Sequence, residues 1–156
     1  MPEDTNITSL LSSINGNYSI VWEYNASDTS DHWKKYDPAA PFGNDLTTME
    51  PGKGYWIMMT SDDTLNISGT MPEHTDIELW SGWNLIGYNS PNPQTITDAL
   101  SSINGNYSII WAYNASDSTD HWKKYDPSAP FGNDLVNMEP GKGYWIMMTT
   151  DDILEI

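Results

Sequence analysis

The chain has 156 residues, with six lysines, no arginine and no cysteine against fifteen aspartates and seven glutamates, for a net charge of −16. Gripping a phosphate backbone takes clustered positive charge, so this balance argues against nucleic acid as a partner, and the missing thiols exclude thiolate catalysis, zinc–thiolate sites and disulfides. No apolar run approaches the roughly 20 residues of a membrane-spanning helix and no signal-peptide pattern opens the chain, so membrane insertion is not expected, whereas eight Trp and nine Tyr supply material for a folded core.

Taken in chain order, Ile7, Leu10, Leu11 and Ile14 fall on one face of a short helix, with Asn6 placed to cap its start and Gly16 suited to the left-handed residue beyond its end. Tyr18, Ile20, Trp22 and Tyr24 alternate with Ser19, Val21, Glu23 and Asn25, which predicts a half-buried strand with Glu23 on its outer face. Trp33–Tyr36 reads as a short strand ended by Asp37-Pro38. Glu50-Pro51-Gly52-Lys53-Gly54 carries Pro and Gly at the positions a type II turn requires. Tyr55–Met59 is apolar on both faces and is predicted to be the best-buried, central strand. Leu65 and Ile67 alternate with Thr64 and Asn66 in a final strand.

The pattern then begins again. Residues Ile7–Ile67 match Ile96–Ile156 without a gap at 49 of 61 positions, an offset of 89. Most differences are mild, such as Val21/Ile110, but Glu23 becomes Ala112. Met1-Pro2-Glu3-Asp4-Thr5 is echoed by Met71-Pro72-Glu73-His74-Thr75, yet the second copy alone continues with a 19-residue segment, Asp76–Gln94. Within it Ile77–Trp80 and Trp83–Tyr88 read as a strand pair joined at Ser81-Gly82 as a tight hairpin turn. In the second copy the helix recurs over Ile96, Ala99, Leu100 and Ile103, where Thr95 and Asp98 resemble a capping box.

The expected class is therefore α+β and β-dominated: two tandem small modules, each an antiparallel sheet with one short helix. Residues 1–70 form an incomplete first repeat that lacks its opening hairpin, and residues 71–156 form a complete second repeat with the hairpin at 77–88. Three outcomes are open: the chain is cut from a longer array and the first repeat is left incomplete, the single hairpin at 77–88 lies between the repeats and covers both, or a strand from a neighbouring molecule completes the sheet. The charge divides almost evenly, so acidity belongs to the module and not to a tail.

Gly82-Trp-Asn-Leu-Ile-Gly87, Ile110-Trp-Ala-Tyr113, Trp122-Lys-Lys-Tyr125 and Pro140-Gly-Lys-Gly-Tyr-Trp-Ile146 occur in that order. This succession resembles a repeat module of large secreted and cell-surface, surface-layer-associated proteins of methanogenic archaea. The resemblance implies an extracellular structural or adhesive building block with no catalytic residues, whose partners are neighbouring repeats or copies of itself.

Three residue sets carry binding expectations. Trp22, Trp33, Tyr36 and Trp56, with their second-repeat equivalents, could stack on sugar rings; Trp33, Tyr36, Trp122 and Tyr125 are the named carbohydrate-binding candidates, against the reading that such rings are core. Asp28, Asp31 and Asp37, with Asp117, Asp120 and Asp126, offer the hard oxygen donors that Ca²⁺ takes, against the reading of a solvated acidic loop; no other cofactor is expected. Six N-x-S/T sequons, at Asn6, Asn17, Asn25, Asn66, Asn106 and Asn114, are glycosylation candidates. His32 and His121 stand beside Asp31 and Asp120, but no nucleophile elbow or phosphate loop accompanies them, so no enzyme is expected.

Overall fold

The computed structural model describes residues 5–70 and 72–156. The echo of the first five residues by 71–75 thus falls largely outside the described residues. In the first repeat β1 (Thr5–Asn6) leads into α1 (Ile7–Leu10) and a 3-10 turn (Leu11–Ile14), followed by β2 (Tyr18–Tyr24), β3 (Trp33–Tyr36), β4 (Thr48–Met49) and β5 (Tyr55–Met59). Then come β6 (Asp76–Leu79) and β7 (Gly82–Gly87). The second repeat continues with β8 (Gln94–Thr95), α2 (Ile96–Ala99), a 3-10 turn (Ser101–Ile103), β9 (Tyr107–Tyr113), β10 (Trp122–Tyr125), β11 (Asn137–Met138), β12 (Gly143–Met148) and β13 (Asp152–Glu155). All pairings are antiparallel, and the fold is α+β and β-dominated.

The helical segments form as the periodicity requires. Ile7, Leu10, Leu11 and Ile14 are all buried, Asn6 Oδ1 accepts from the Thr8 N–H at 2.9 Å, and Gly16 takes φ +86° past the end. In the second repeat the Thr95 hydroxyl accepts from the Asp98 N–H and donates to its carboxylate at 2.7 Å. The Pro-Gly turns form in both repeats, with Gly52 and Gly141 in the left-handed region. Each is braced by a tyrosine: Tyr55 Oη accepts from the Glu50 N–H and Tyr144 Oη from the Glu139 N–H. Burial pushes the Tyr144 phenol up to about 12, and the Tyr55 phenol is raised by burial as well.

The main sheets are β3-β2-β5 in the first repeat and β10-β9-β12-β7 in the second. Strand phase departs from the alternation read in the sequence. One extra residue bulges out of β2 at Ser19 and out of β9 at Ser108, and each serine hydroxyl donates to a carbonyl of the neighbouring strand, Met58 or Met147, at 3.3 Å. The bulge moves the alternation by one residue. Val21 and Glu23 face the helix side and are buried, whereas Trp22 and Tyr24 lie on the opposite face. Glu23 is therefore an inner residue, not an outer one.

The expected hairpin at 77–88 is also revised. The two strands do not pair with each other. β6 pairs with β13 and β7 with β12, so the segment is an arch that passes from one sheet to the other. Side chains hold its corner: buried Asn84 accepts from the Trp80 N–H at 3.0 Å and donates to the Trp80 carbonyl at 2.6 Å, while the Ser81 N–H donates to Asp151 at 2.7 Å. Beyond the arch, β7 reaches the first repeat, with the Gly54 N–H donating to the Leu85 carbonyl and the Gly87 N–H to the Gly52 carbonyl. The single segment thus lies between the repeats and touches both.

Its unequal service produces unequal cores. In the second repeat Ile77, Leu79, Ile86 and Tyr88 join Tyr144, Ile146, Met148 and Leu154 in one buried cluster. The equivalent residues of the first repeat, Tyr55, Ile57 and Leu65, are only partly buried, and Met59 is exposed. The central-strand expectation holds for β12 but not for β5, which is an edge strand with Met58 57% exposed. The expected final strand likewise forms only as β13. In the first repeat the equivalent segment occupies the same place, because Asn66 N bonds Ser13 Oγ as Glu155 N bonds Ser102 Oγ, but it has no ladder partner among the described residues.

The buried Glu23 gives a signed prediction. Burial raises its carboxyl above the ordinary value despite the Lys53 ammonium 3.5 Å away. A raised folded-state carboxyl contributes most stability below the unfolded value of about 4.3 and loses it as pH climbs through the folded value. Glu23→Ala, which installs the residue of the second repeat, should therefore gain stability relative to the parent as pH rises from about 4 to about 8, as read from urea midpoints across that range. An unchanged difference would contradict the burial of this carboxylate.

Candidate functional site

The bulges that turn Trp22 and Tyr24 away from the helix also build an aromatic cleft between the repeats. Cross-strand pairing sets Tyr24 opposite Trp33 and Tyr113 opposite Trp122. The two sheets then meet aromatic face to aromatic face. Trp145 of β12 packs on Tyr24 and Trp33 of the first repeat, with ring centroids at 5.1 and 5.9 Å. Reciprocally, Trp56 of β5 packs on Tyr113 and Trp122 of the second, at 5.1 and 5.7 Å. Equivalent residues exchange roles, the arrangement of an isologous interface built inside one chain. The rings are tilted or edge-on, the geometry that aromatic quadrupoles favour.

The exchange is not fully symmetric. Trp83 of β7 packs edge-on against Trp145 at 6.1 Å, and the first repeat has no equivalent of that strand. Between the sheets lies a cleft of about 740 Å³ lined by Tyr24, Trp33, Trp83, Trp111, Trp122 and Trp145. Its walls are ring faces and edges, suited to stacking and dispersion contacts. They carry no carboxylate–histidine or nucleophile–base pair for proton transfer.

The four carbohydrate candidates are divided by this geometry. Trp33 and Trp122 stand at the cleft, 46% and 41% exposed. Tyr36 and Tyr125 lie on the other face of their strands and pack against the two cores, with Tyr36 Oη 3.4 Å from the Thr8 hydroxyl. Tyr24, Tyr113 and Trp83 complete the aromatic assembly and were missed in the sequence. Tyr24 and Tyr113 share a face with Trp22 and Trp111 as the alternation predicts, and the bulge turns that face away from the helix. Phe42 and Phe131 were also missed; each is 83% exposed in its loop. Hydrogen bonds between Asp37 and Asn44, and between Asp126 and Asn133, brace these two loops, so each ring is presented on an ordered turn.

The acidic candidates converge on lysines. Asp28 and Asp31 meet Lys34 Nζ at 3.0 and 3.4 Å, and Asp117 and Asp120 meet Lys123 Nζ at 3.1 and 3.0 Å. The other Asp28 oxygen accepts from the Ser30 hydroxyl and from the Ser30 and Asp31 N–H groups, a side-chain-capped turn. The Ser30 hydroxyl first, then Lys34, holds the Asp28 carboxyl far below the usual carboxylate range; Thr119 and Lys123 do the same for Asp117. Asp37 and Asp126 stand apart and cap their own turns through Ala39 N–H and Ser128 N–H. Among the described residues no three His, Cys, Asp or Glu side chains gather as metal ligands. His32 and His121 bond the Asn25 and Asn114 carbonyls, and both lie against tyrosine rings.

The sequons fall into two environments. Asn6, Asn66 and Asn114 are exposed, whereas Asn17 and Asn106 are half-buried with Nδ2 donating to Asp63 and Asp152 at 2.8 Å. Half-buried Asn25 accepts from Ser27 through Oδ1. The amide nitrogen is the atom a glycan would occupy, and Asn66 Nδ2 donates to the Thr64 carbonyl at 3.2 Å, so glycopeptide mass spectrometry of native material should find sugar at Asn6 or Asn114 before Asn17 or Asn106. Occupancy confined to Asn17 and Asn106 would contradict this order.

No protein-family model matches the chain, and no curated protein or solved structure matches it. No helix among the described residues is long and apolar enough to cross a membrane.

Proposed function

We propose that the chain is a non-enzymatic structural module of an extracellular cell-surface protein, of the surface-layer or filament kind, from an archaeal source. The observation that carries this reading is the reciprocal aromatic interface: the largest side chains lock one repeat to the next. Repeats that spend Trp56 and Trp145 on each other form a closed, rigid two-repeat block, a building unit whose remaining edges are left for assembly. The order of the Gly-Trp-Asn-Leu, Trp-Lys-Lys-Tyr and Pro-Gly-Lys-Gly motifs supports the cell-surface assignment, and the acidity shared by both repeats supports a solvated outer face. Its partners are neighbouring repeats or further copies of the same kind of module.

The accessible Trp33 and Trp122 favour a second reading, a carbohydrate-binding adhesin module whose cleft stacks on sugar rings. A glycan array with the parent chain and the Trp33→Ala and Trp122→Ala variants separates the two. The structural reading expects no glycan to be retained by any of the three; a hit lost in either variant would establish the adhesin instead. Antibody against the module should also label intact source cells, and labelling only after lysis would remove the extracellular assignment.

A further inference from the structure

The two repeats share the sequence Tyr-Trp-Ile-Met-Met in β5 and β12, yet among the described residues only β12 is covered on both edges. What covers it is known residue by residue. β7 runs along β12 from Gly82 opposite Met148 to Gly87 opposite Gly143, and β6 runs along β13 from Asp76 opposite Glu155 to Leu79 opposite Asp152. In the first repeat the corresponding acceptors are in place and open. The Thr60 N–H bonds the Asn17 carbonyl as Thr149 bonds Asn106, and Asn17 bonds Asp63 as Asn106 bonds Asp152. Both sides of the open edge are hollow. A groove of about 440 Å³ includes Tyr55, Ile57, Leu65 and Ile67 in its lining, and another of about 690 Å³ includes Trp56, Met58 and Met59.

We propose that this edge of the first repeat is a strand-acceptor site, filled by the opening strand–arch–strand of another polypeptide built of the same repeat, with the pattern of Asp76–Ile86. The occupant is specified by the second repeat. Ile77 and Leu79, 8% and 2% exposed there, would cover Ile57 and Leu65, and Trp83 would lie edge-on to Trp56 as it does to Trp145. Main-chain ladders supply affinity and the alternating side chains supply specificity, the logic of strand addition. The chain's own segment cannot serve, because moving it would strip β12 and β13 of their partners. The incoming segment stops short of Gly87, because Gly52 and Gly54 are already bonded to this chain's β7. In that register the donor's Glu78 falls opposite Thr64, beside Asp63, so capture should strengthen with added salt. This inference rests on the reading of the chain as an assembling repeat and names what that repeat binds.

The test uses a labelled peptide with the sequence of residues 75–86, followed by fluorescence anisotropy against the full chain. Saturable one-to-one binding is expected, with hydrogen-exchange protection appearing at residues 55–66. A peptide carrying Ile77→Asp and Leu79→Asp should lose at least about tenfold in affinity, since it would bury unpaired carboxylates. A chain with a second copy of Asp76–Gln94 inserted between Thr5 and Asn6 completes its own first repeat and should not capture the peptide. Absence of saturable binding, protection at 143–155 instead, or equal capture by the insertion variant each overturns the proposal. A glycan-array hit overturns the structural reading while leaving peptide capture in place, whereas failed capture beside a silent array removes the acceptor site alone.

Discussion

Trp145→Ala is expected to destabilise the chain by about 3 kcal/mol, read from the urea midpoint, because it deletes one of the largest side chains at the junction of the repeats. Trp145 touches Tyr24, Trp33 and Trp83, so its loss leaves three rings facing a void. Each such aromatic pair is worth about 0.5–1.5 kcal/mol beyond its area, which places the total well above a surface substitution. Trp56→Ala removes the mirror-image plug but empties a site that already lacks a third ring, and should cost about 2 kcal/mol. The pair of variants therefore measures both the interface and its asymmetry. Near-neutral results for both would mean that the repeats do not pack through these faces.

Met148→Ala and Met59→Ala form the second large contrast. Met148, paired with Gly82 of β7, is 2% exposed in the cluster that includes Ile77 and Leu79, and its truncation should cost about 2–4 kcal/mol. Met59 occupies the same place in an identical sequence but is 39% exposed, and its truncation should stay within about 1 kcal/mol. Local propensity is the same in both, so the difference isolates the covering strand. Equal costs would show that the first repeat is covered as fully as the second.

The same comparison shows what the sequence could and could not reveal. Residues whose structure is decided locally were legible: the Ile7–Ile14 face, the Asn6 and Thr95 caps, and the Pro-Gly turns all form as their spacing requires. The position of Glu23 was not, because a single bulged serine reverses the inward face and leaves no mark on the alternation. Ser81-Gly82 carries the residues of a hairpin turn, yet Asn84 and the distant Asp151 fix an arch there. Tyr55–Met59 reads as a central strand, yet it is an edge while its equivalent β12 is central, since burial is decided by a partner strand more than 50 residues away in sequence. The aromatic cleft was half legible. Trp33 and Trp122 were recognisable as rings flanked by polar residues, but their partners Trp145 and Trp56 come from the opposite repeat, and no single-repeat periodicity encodes that exchange.

In the second repeat β7 pairs with the outer edge of β12 and β6 with β13, whereas the equivalent edges of the first repeat are open among the described residues. Hydrogen exchange followed by NMR on the intact chain tests this difference most directly, because protection of an edge strand depends on the presence of a ladder partner. The amides of β12, and those of β13 that face β6, should exchange slowly. In β5 those facing β2 should be slow, while those facing away from it, beyond the Gly54 bond to β7, and those of residues 64–67 not held by Ser13 should exchange near the rate of an unfolded chain. Uniform slow exchange across 55–66 in the monomeric chain would contradict the open edge and the acceptor site built on it.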